Sequence, residues 1–284
     1  MHHASDAVPP RLRLGGRSLS VVGRARVYVC GVTPYDVTHL GHAATFVWVD
    51  AADRLLRRLG VRVEVCRNVT DVDDVLFAAA ERAGAQYDRF AAVQQFHFER
   101  DMDALGVRRP THEPRAHSFV GPVVELASAL LDAGAAYEAG GSVYFIGEHV
   151  PGACGLLRDE AEQLLAANGG HNDDPHKRDV LDQAVWQVSA EGEPSWPSPW
   201  GPGRPGWHAE CTAMALSTYG SSMDLHAGGA DLRFPHHAYE AAQAEAATGV
   251  TPFSRSWLHV GTVRLDGEKM AKSTGNLVFA ADLV

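Results

Sequence analysis

The first clear pattern along the chain is Val27-Tyr28-Val29-Cys30-Gly31, a short apolar run closed by glycine that reads as a buried strand. Gly31 to Thr38 reads as a loop. From about Gly41 to Leu59, Val47, Ala51, Leu55 and Leu59 recur every fourth residue, which predicts a helix with that face turned inward. Val61, Val63 and Val65 then alternate with polar neighbours, so Arg62–Arg67 is predicted to be a second strand, with Asn68-Val69-Thr70-Asp71 turning into the next helix. Strand, helix and strand in this order form a crossover unit, which implies a parallel sheet with ligands at the carboxyl ends of its strands. Helical patterns follow at Tyr87–Leu105, ending at Gly106, and at Glu125–Leu131, stopped at Gly134. Tyr137–Ile146 reads as a hairpin about Gly140-Gly141. Between Pro151 and about Trp200 the chain turns polar and rich in Gly, Asp and Pro, and reads as an insertion between two halves of the sheet rather than core. The expected fold class is α/β.

Composition narrows the setting. The 284 residues allow one large or two modest domains, and 45% hydrophobic with 21% charged residues is ordinary for a globular chain. No apolar run reaches the roughly 18 residues of a membrane span, and Met1 to Gly23 lacks the layout of a secretory signal, so a cytoplasmic location is expected. Four cysteines, Cys30, Cys66, Cys154 and Cys211, are too few for a disulfide framework in so long a chain. They read as buried thiols, metal ligands or catalytic groups. A net charge of −10 argues against a broad nucleic-acid surface, although Arg54, Arg57, Arg58 and Arg62 form a local basic cluster.

Three groups of residues carry candidate chemistry. His39-Leu40-Gly41-His42 sits where the first helix begins, and a helix N-terminus offers unpaired N–H groups to anions, so two imidazoles beside it make a phosphate site. Far along the chain lies Lys269-Met270-Ala271-Lys272-Ser273. The chain has only three lysines among its 25 basic residues, and two fall in this window, which points to their use as mobile point charges. The third group is Cys30, Cys211 after Trp207-His208, and His236 with Glu240 one helical turn apart. Two thiolates, an imidazole and a carboxylate are ligands that zinc accepts in a tetrahedral site. The plainer readings are histidines that pack at a helix start, cysteines buried as small hydrophobes, and a tryptophan that is core.

Taken together, the histidine and lysine stretches resemble the two ATP motifs of class I aminoacyl-tRNA synthetases, over about Arg26 to Val278. Ala271 stands where that family usually has serine. The resemblance narrows on Cys30-Gly31, on Asn68-Val69-Thr70-Asp71-Val72-Asp73-Asp74, on Gly203 to Cys211 (GRPGWHAEC) and on Asp231 to His237 (DLRFPHH). These are similar to the cysteinyl-tRNA synthetase family, which includes the mycothiol ligases that couple cysteine to glucosaminyl-inositol.

The resemblance implies a Rossmann-like parallel sheet, with residues 1–25 as an N-terminal extension, 26–284 as the catalytic domain and a connective insertion at about 121–195. It implies zinc on Cys30, Cys211, His236 and Glu240, binding the thiol of the substrate. Pocket shape alone would separate cysteine from serine by about 10²-fold or less, whereas zinc prefers sulfur over an alcohol. It further implies ATP, with Mg2+, at Thr38, His39, Gly41, His42, Gly228, Gly229, Asp231, Lys269, Met270, Lys272 and Ser273. His39, His42, Lys269 and Lys272 would act on the triphosphate, and Gly31, Thr33, Thr70 and Trp207 would hold cysteine. Ala227 replaces a glycine usual beside the adenosine, which raises the question of how closely the backbone is approached there.

The acceptor divides the family. Residues 32–34 and 40–44, with Gly275 to Phe279, side with the ligases, whereas Glu240 sits at the synthetase's zinc position. Gln187 and Ala238 fit neither pattern well. Both relatives continue past the lysine motif, and this chain carries no downstream helical or anticodon-binding domain. A natural end at Val284 would favour a small amine acceptor over tRNA; a fragment would remove that argument. The remaining alternative is a catalytically reduced paralogue that binds cysteine or ATP.

Overall fold

Two short strands, β1 (Leu12–Leu14) and β2 (Arg17–Leu19), form an antiparallel hairpin ahead of the main sheet. The structure is a computed structural model that describes residues 12–14, 17–19, 21, 23–35, 38–168, 174–270 and 275–283. Strand β3 (Arg24–Val32) carries the first apolar run and pairs in parallel with β4 (Arg62–Val69) across helix α1 (Leu40–Arg58). This is the crossover unit expected from the sequence. Both strands run further than the apolar pattern indicated, and Asn68 and Val69 belong to β4 rather than to a turn.

The inward face of α1 differs from the predicted one. Ala43, Phe46, Val49, Asp53 and Leu56 are buried, while Val47 and Leu55 are 42% and 44% exposed. Residues four apart drift about 40° around a helix of 3.6 residues per turn, so a strict four-residue series leaves the buried stripe within two turns. The real stripe also contains a charge, which hid it. Asp53 is buried but bridges Arg57 Nε at 2.7 Å and Arg108 Nε at 3.3 Å.

Helices α2 (Asp74–Arg82) and α3 (Tyr87–Ala104) follow β4, α2 being capped by Asp73, whose carboxylate accepts the Val75 N–H. Residues 111–115 then run along the free edge of β4, where Arg67 N–H donates to His112 O and Val69 N–H to Pro114 O. A single 3-10 turn, Ala116–Ser118, leads into α4 (Val120–Asp132). The helix begins five residues before the predicted Glu125, because Pro122 is harmless in a first turn.

The hairpin of β5 (Ala136–Ala139) and β6 (Ser142–Phe145) turns at Gly140-Gly141 as expected. After α5 (Val150–Ala153) and α6 (Arg158–Ala167), β7 (Gln183–Val188) and β8 (Gly203–Pro205) complete an antiparallel sheet in the order β5-β6-β7-β8. The polar stretch from Pro151 to about Trp200 is therefore not devoid of core. Leu165, Leu181, Val185 and Trp186 are buried there against α4 and Phe145. Their spacing in a Gly- and Asp-rich background gave no period to read.

Helix α7 (Trp207–Tyr219) returns the chain to the parallel sheet, followed by β9 (Leu225–Gly229), α8 (His236–Thr248) and β10 (Trp257–Val260). The parallel order is β10-β9-β3-β4. One face packs Val27, Val29, Leu225 and Ala227 on Phe46 of α1 and Phe98 of α3. The other packs Tyr28, Cys30 and Cys66 on Cys211 and Met214 of α7. Two-residue strands β11 (Arg264–Leu265) and β12 (Glu268–Lys269) form a small hairpin. The segment after it ties back to α1, with Leu40 N–H donating to Val278 O and Ala280 N–H to Thr38 O.

Candidate active site

At the carboxyl ends of β3 and β9, beneath the starts of α7 and α8, Cys30, Cys211, His236 and Glu240 converge, with one ligand atom from each within 4.8 Å of the others. Helical spacing places the last two: His236 Nε2 lies 3.0 Å from Glu240 Oε1. Cys30 Sγ approaches the same carboxylate oxygen at 3.2 Å. Cys211 lies one turn inside α7 rather than opening it. All four residues are buried.

Burial controls the protonation of this cluster. It pushes the Cys30 and Cys211 thiols and the Glu240 carboxyl up, and pulls the His236 imidazole well below its ordinary value, so each group favours its neutral form. A divalent cation would reverse this for the thiols and the carboxyl by supplying the missing positive charge. Glu240 Oε2 and His226 Nδ1 have no hydrogen-bond partner. Buried polar atoms left unsatisfied beside two thiols and an imidazole fit a site made for a metal.

A second set overlaps the first. Cys30, His226, His237 and Glu240 also bring one ligand atom each within 4.8 Å. His226 Nε2 stands 3.5 Å from Cys30 Sγ and 3.4 Å from Glu240 Oε2. The sequence reading missed His226, His237 and their neighbours Trp257 and His259. His226 stacks on Trp257 at 4.7 Å, and His237 Nδ1 meets His259 Nε2 at 2.9 Å. The available signal was strand alternation: His226 and Gly228 face the site, while Leu225 and Ala227 join the core behind. The Ala227 methyl thus points away from the site and does not limit backbone approach. A Cβ at Gly228 would strike the His237 ring at 2.7 Å.

Supporting contacts hold the cluster. Asn68 Nδ2 donates to Cys211 Sγ at 3.3 Å, and its Oδ1 accepts Gly31 N–H at 2.9 Å. Gly31 is required there, since a Cβ would lie 1.7 Å from Asn68 O. Trp207, the first residue of α7, stacks on His236 at 4.1 Å, and His208 Nδ1 meets His236 Nδ1 at 2.8 Å. Thr33 and Thr70, both expected to hold cysteine, meet through their hydroxyls at 2.7 Å.

The nucleotide candidates are placed as follows. His39 is the N-cap residue of α1 but its side chain makes no capping hydrogen bond, and its ring stacks on His42 at 4.0 Å over the Cβ-less Gly41. The helix start is less open than expected, because Leu40 N–H is taken by Val278. Thr38 is buried, and its carbonyl accepts the Ala280 N–H. Asp231 lies in a turn after Gly228 and Gly229, its carboxylate lying over Gly229. Met270 is buried, with its N–H on Val263 O. The main chain of Lys269 lies in β12. Lys272 and Ser273 fall outside the described residues.

Comparison with known proteins agrees with this geometry. Residues 18–284 match the family of tRNA synthetases class I (C), catalytic domain. An L-cysteine:1D-myo-inositol 2-amino-2-deoxy-alpha-D-glucopyranoside ligase of Corynebacterium aurimucosum is 44% identical over 100% of this chain and 69% of its own length. The ligase of the same name from Rhodococcus jostii is 47% identical over 91% of this chain and 64% of its own length. A cysteine-tRNA ligase of Syntrophobacter fumaroxidans is 47% identical over 92% of this chain and 53% of its own length. The chain thus spans roughly half to two thirds of these relatives. The fold resembles that of Mycobacterium tuberculosis methionyl-tRNA synthetase in complex with methionyl-adenylate, with a TM-score of 0.67 at 18% identity over 92% of this chain and 62% of that one. The chain belongs to the class I (C) tRNA synthetase catalytic-domain family.

Proposed function

We propose that the chain is the catalytic part of an ATP-dependent cysteine ligase, which activates cysteine as cysteinyl-adenylate and passes the acyl group to an amine. The observation that carries this reading is the buried Cys30, Cys211, His236 and Glu240 cluster at the carboxyl ends of β3 and β9. Those four residues would hold zinc, which when bound takes the sulfur of the substrate as thiolate and so separates cysteine from serine. Cys30, Cys211 and His236 would hold the metal from three elements, with Glu240 as the fourth ligand. Thr33 and Thr70, whose hydroxyls meet, and Trp207, stacked on His236, would hold the rest of the cysteine.

Activation joins the cysteine carboxylate oxygen to the α-phosphorus of ATP and releases pyrophosphate. Neutralising charge and holding the groups in line are most of the catalysis. His39 and His42 sit at the first turn of α1, where the helix dipole favours phosphate, and Asp231 is suited to accept from ribose hydroxyls. Lys269 and Lys272 supply the charges that follow the triphosphate into the transition state.

The test is cysteine-dependent exchange of pyrophosphate into ATP without any acceptor. Exchange with cysteine and refusal of serine are expected, and Cys211→Ser should release the metal and end exchange. Equal exchange with serine would falsify the zinc-selection argument.

For the acceptor, the ligase-like residues 32–34 and 40–44 favour the amine of 1D-myo-inositol 2-amino-2-deoxy-α-D-glucopyranoside. The second reading, transfer to tRNA, is favoured by Glu240, while the 47% identity to a cysteine-tRNA ligase is equalled by that to an amino-sugar ligase. Offering both acceptors together and scoring by mass spectrometry separates them. Cysteine on tRNA alone would replace the first reading by the second.

A further inference from the structure

Past Asn68, the carboxyl end of β4 continues to face the cysteine pocket through Thr70, but the next residue turns elsewhere. Asp71 is buried, and its Oδ1 accepts the main-chain N–H of His117 at 3.0 Å while its Oδ2 meets His117 Nδ1 at 2.5 Å. Arg115 Nη1 lies 4.0 Å from the same Oδ2, and its Nη2 donates to Gln95. Ala116, beside His117, is packed in the cluster that contains Cys30 and Cys211. The dyad is thus joined, through Ala116 and through Thr70 next to Asp71, to the elements that carry the metal set, and lies outside the sets that would hold metal or nucleotide.

Its chemistry is that of an oriented base. An ionised carboxylate only accepts, so Nδ1 carries the proton and Nε2 keeps the lone pair. The His117 side chain is 43% exposed against 5% for Asp71. Two hydrogen bonds from His117 to one carboxylate fix the ring, as a positioned proton acceptor requires.

We infer that His117, oriented by Asp71, is the general base that takes the proton of the acceptor amine during acyl transfer. This rests on the activation and transfer proposed above. The amine nitrogen forms a bond to the acyl carbon of cysteinyl-adenylate and the bond from that carbon to the phosphate oxygen breaks. AMP leaves with that electron pair, and the ammonium proton passes to His117 Nε2 and then to water. If the dyad were only a pin holding residues 114–118 to β4, its loss would disturb activation and transfer alike.

The experiment uses the zinc-loaded protein and its His117→Gln, His117→Ala and Asp71→Asn variants. Pyrophosphate exchange is measured without acceptor, and single-turnover acylation is measured with 1D-myo-inositol 2-amino-2-deoxy-α-D-glucopyranoside. Transfer should fall about 10²-fold or more in the His117 variants while exchange is kept within about 2-fold, and added imidazole should restore part of the transfer in His117→Ala. Asp71→Asn should slow transfer in the same direction and gives a second route should a His117 variant fold poorly. Transfer at the wild-type rate, or exchange that falls in step with transfer, overturns the inference. So does a wild-type protein that exchanges but does not acylate the amine. Absence of exchange in the wild type overturns the activation reading, and this inference with it.

Discussion

Asp182 and Glu240 are both buried carboxylates, one in the turn just before β7 of the antiparallel sheet and one in α8 at the mouth of the parallel sheet, and they are treated in opposite ways. Asp182 accepts three hydrogen bonds, from Tyr137 OH at 2.7 Å, Gly147 N–H at 3.0 Å and Asp179 N–H at 3.1 Å. Its lone pairs are used in holding β5 and the loops on either side of the sheet. Glu240 touches a thiol and two imidazoles and still leaves Oε2 without a hydrogen bond, as His237 leaves its Nε2. A folded chain rarely strands buried polar atoms without return. The contrast sets a carboxylate that serves the fold against one that, on the proposal above, would hold a metal.

The contrast can be broken in four ways. Zinc should stabilise the protein by about 4 kcal/mol when free metal stands about 1,000-fold above its Kd, read as the drop in melting temperature on chelation. An unchanged melting temperature would place Glu240 in the same class as Asp182. Asp182→Ala in metal-free protein should cost about 3 kcal/mol, because it orphans three buried donors, measured by urea unfolding. Glu240→Gln in the same metal-free background should change stability by less than about 1 kcal/mol, since burial already favours the neutral carboxyl and the amide keeps its shape. That variant should nevertheless bind zinc at least about 10-fold more weakly by competition with a chelator.

A separate effect concerns Cys66, a buried thiol that belongs to neither carboxylate. Burial pushes it up from 9.0 to about 12. Between those values the unfolded chain gives up the proton and the folded chain keeps it, so its stabilisation is whole below pH 9 and is lost as pH rises toward 12. Cys66→Ala should flatten the fall in stability over that range, and an unchanged slope in urea titrations at pH 9 and pH 10.5 would assign the fall to other groups.

The legibility of these features tracked how local they are. His236 and Glu240 share one helix at a spacing that forces them together, and the parallel crossover unit follows from two apolar runs flanking a helix. His226 and Trp257 are strand neighbours 31 positions apart, and Asp71 and His117 are 46 apart, so neither pair has a local period. The inward face of α1 was misread because Asp53, which is charged, belongs to it, and because its ion partners Arg57 and Arg108 are visible only in three dimensions. The core of the antiparallel sheet was hidden in a stretch whose composition is that of a loop.

The two main-chain hydrogen bonds that join residues 278 and 280 to the first turn of α1 have a kinetic corollary. The amide hydrogens of Leu40 and Ala280 are sheltered only while the tail after the lysine motif lies against the helix start. They should exchange with solvent deuterium at one common rate, set by detachment of that tail, rather than at rates proper to a helix and to a terminal turn. Loss of protection at both amides together, and not at one alone, would identify this contact as a single opening unit.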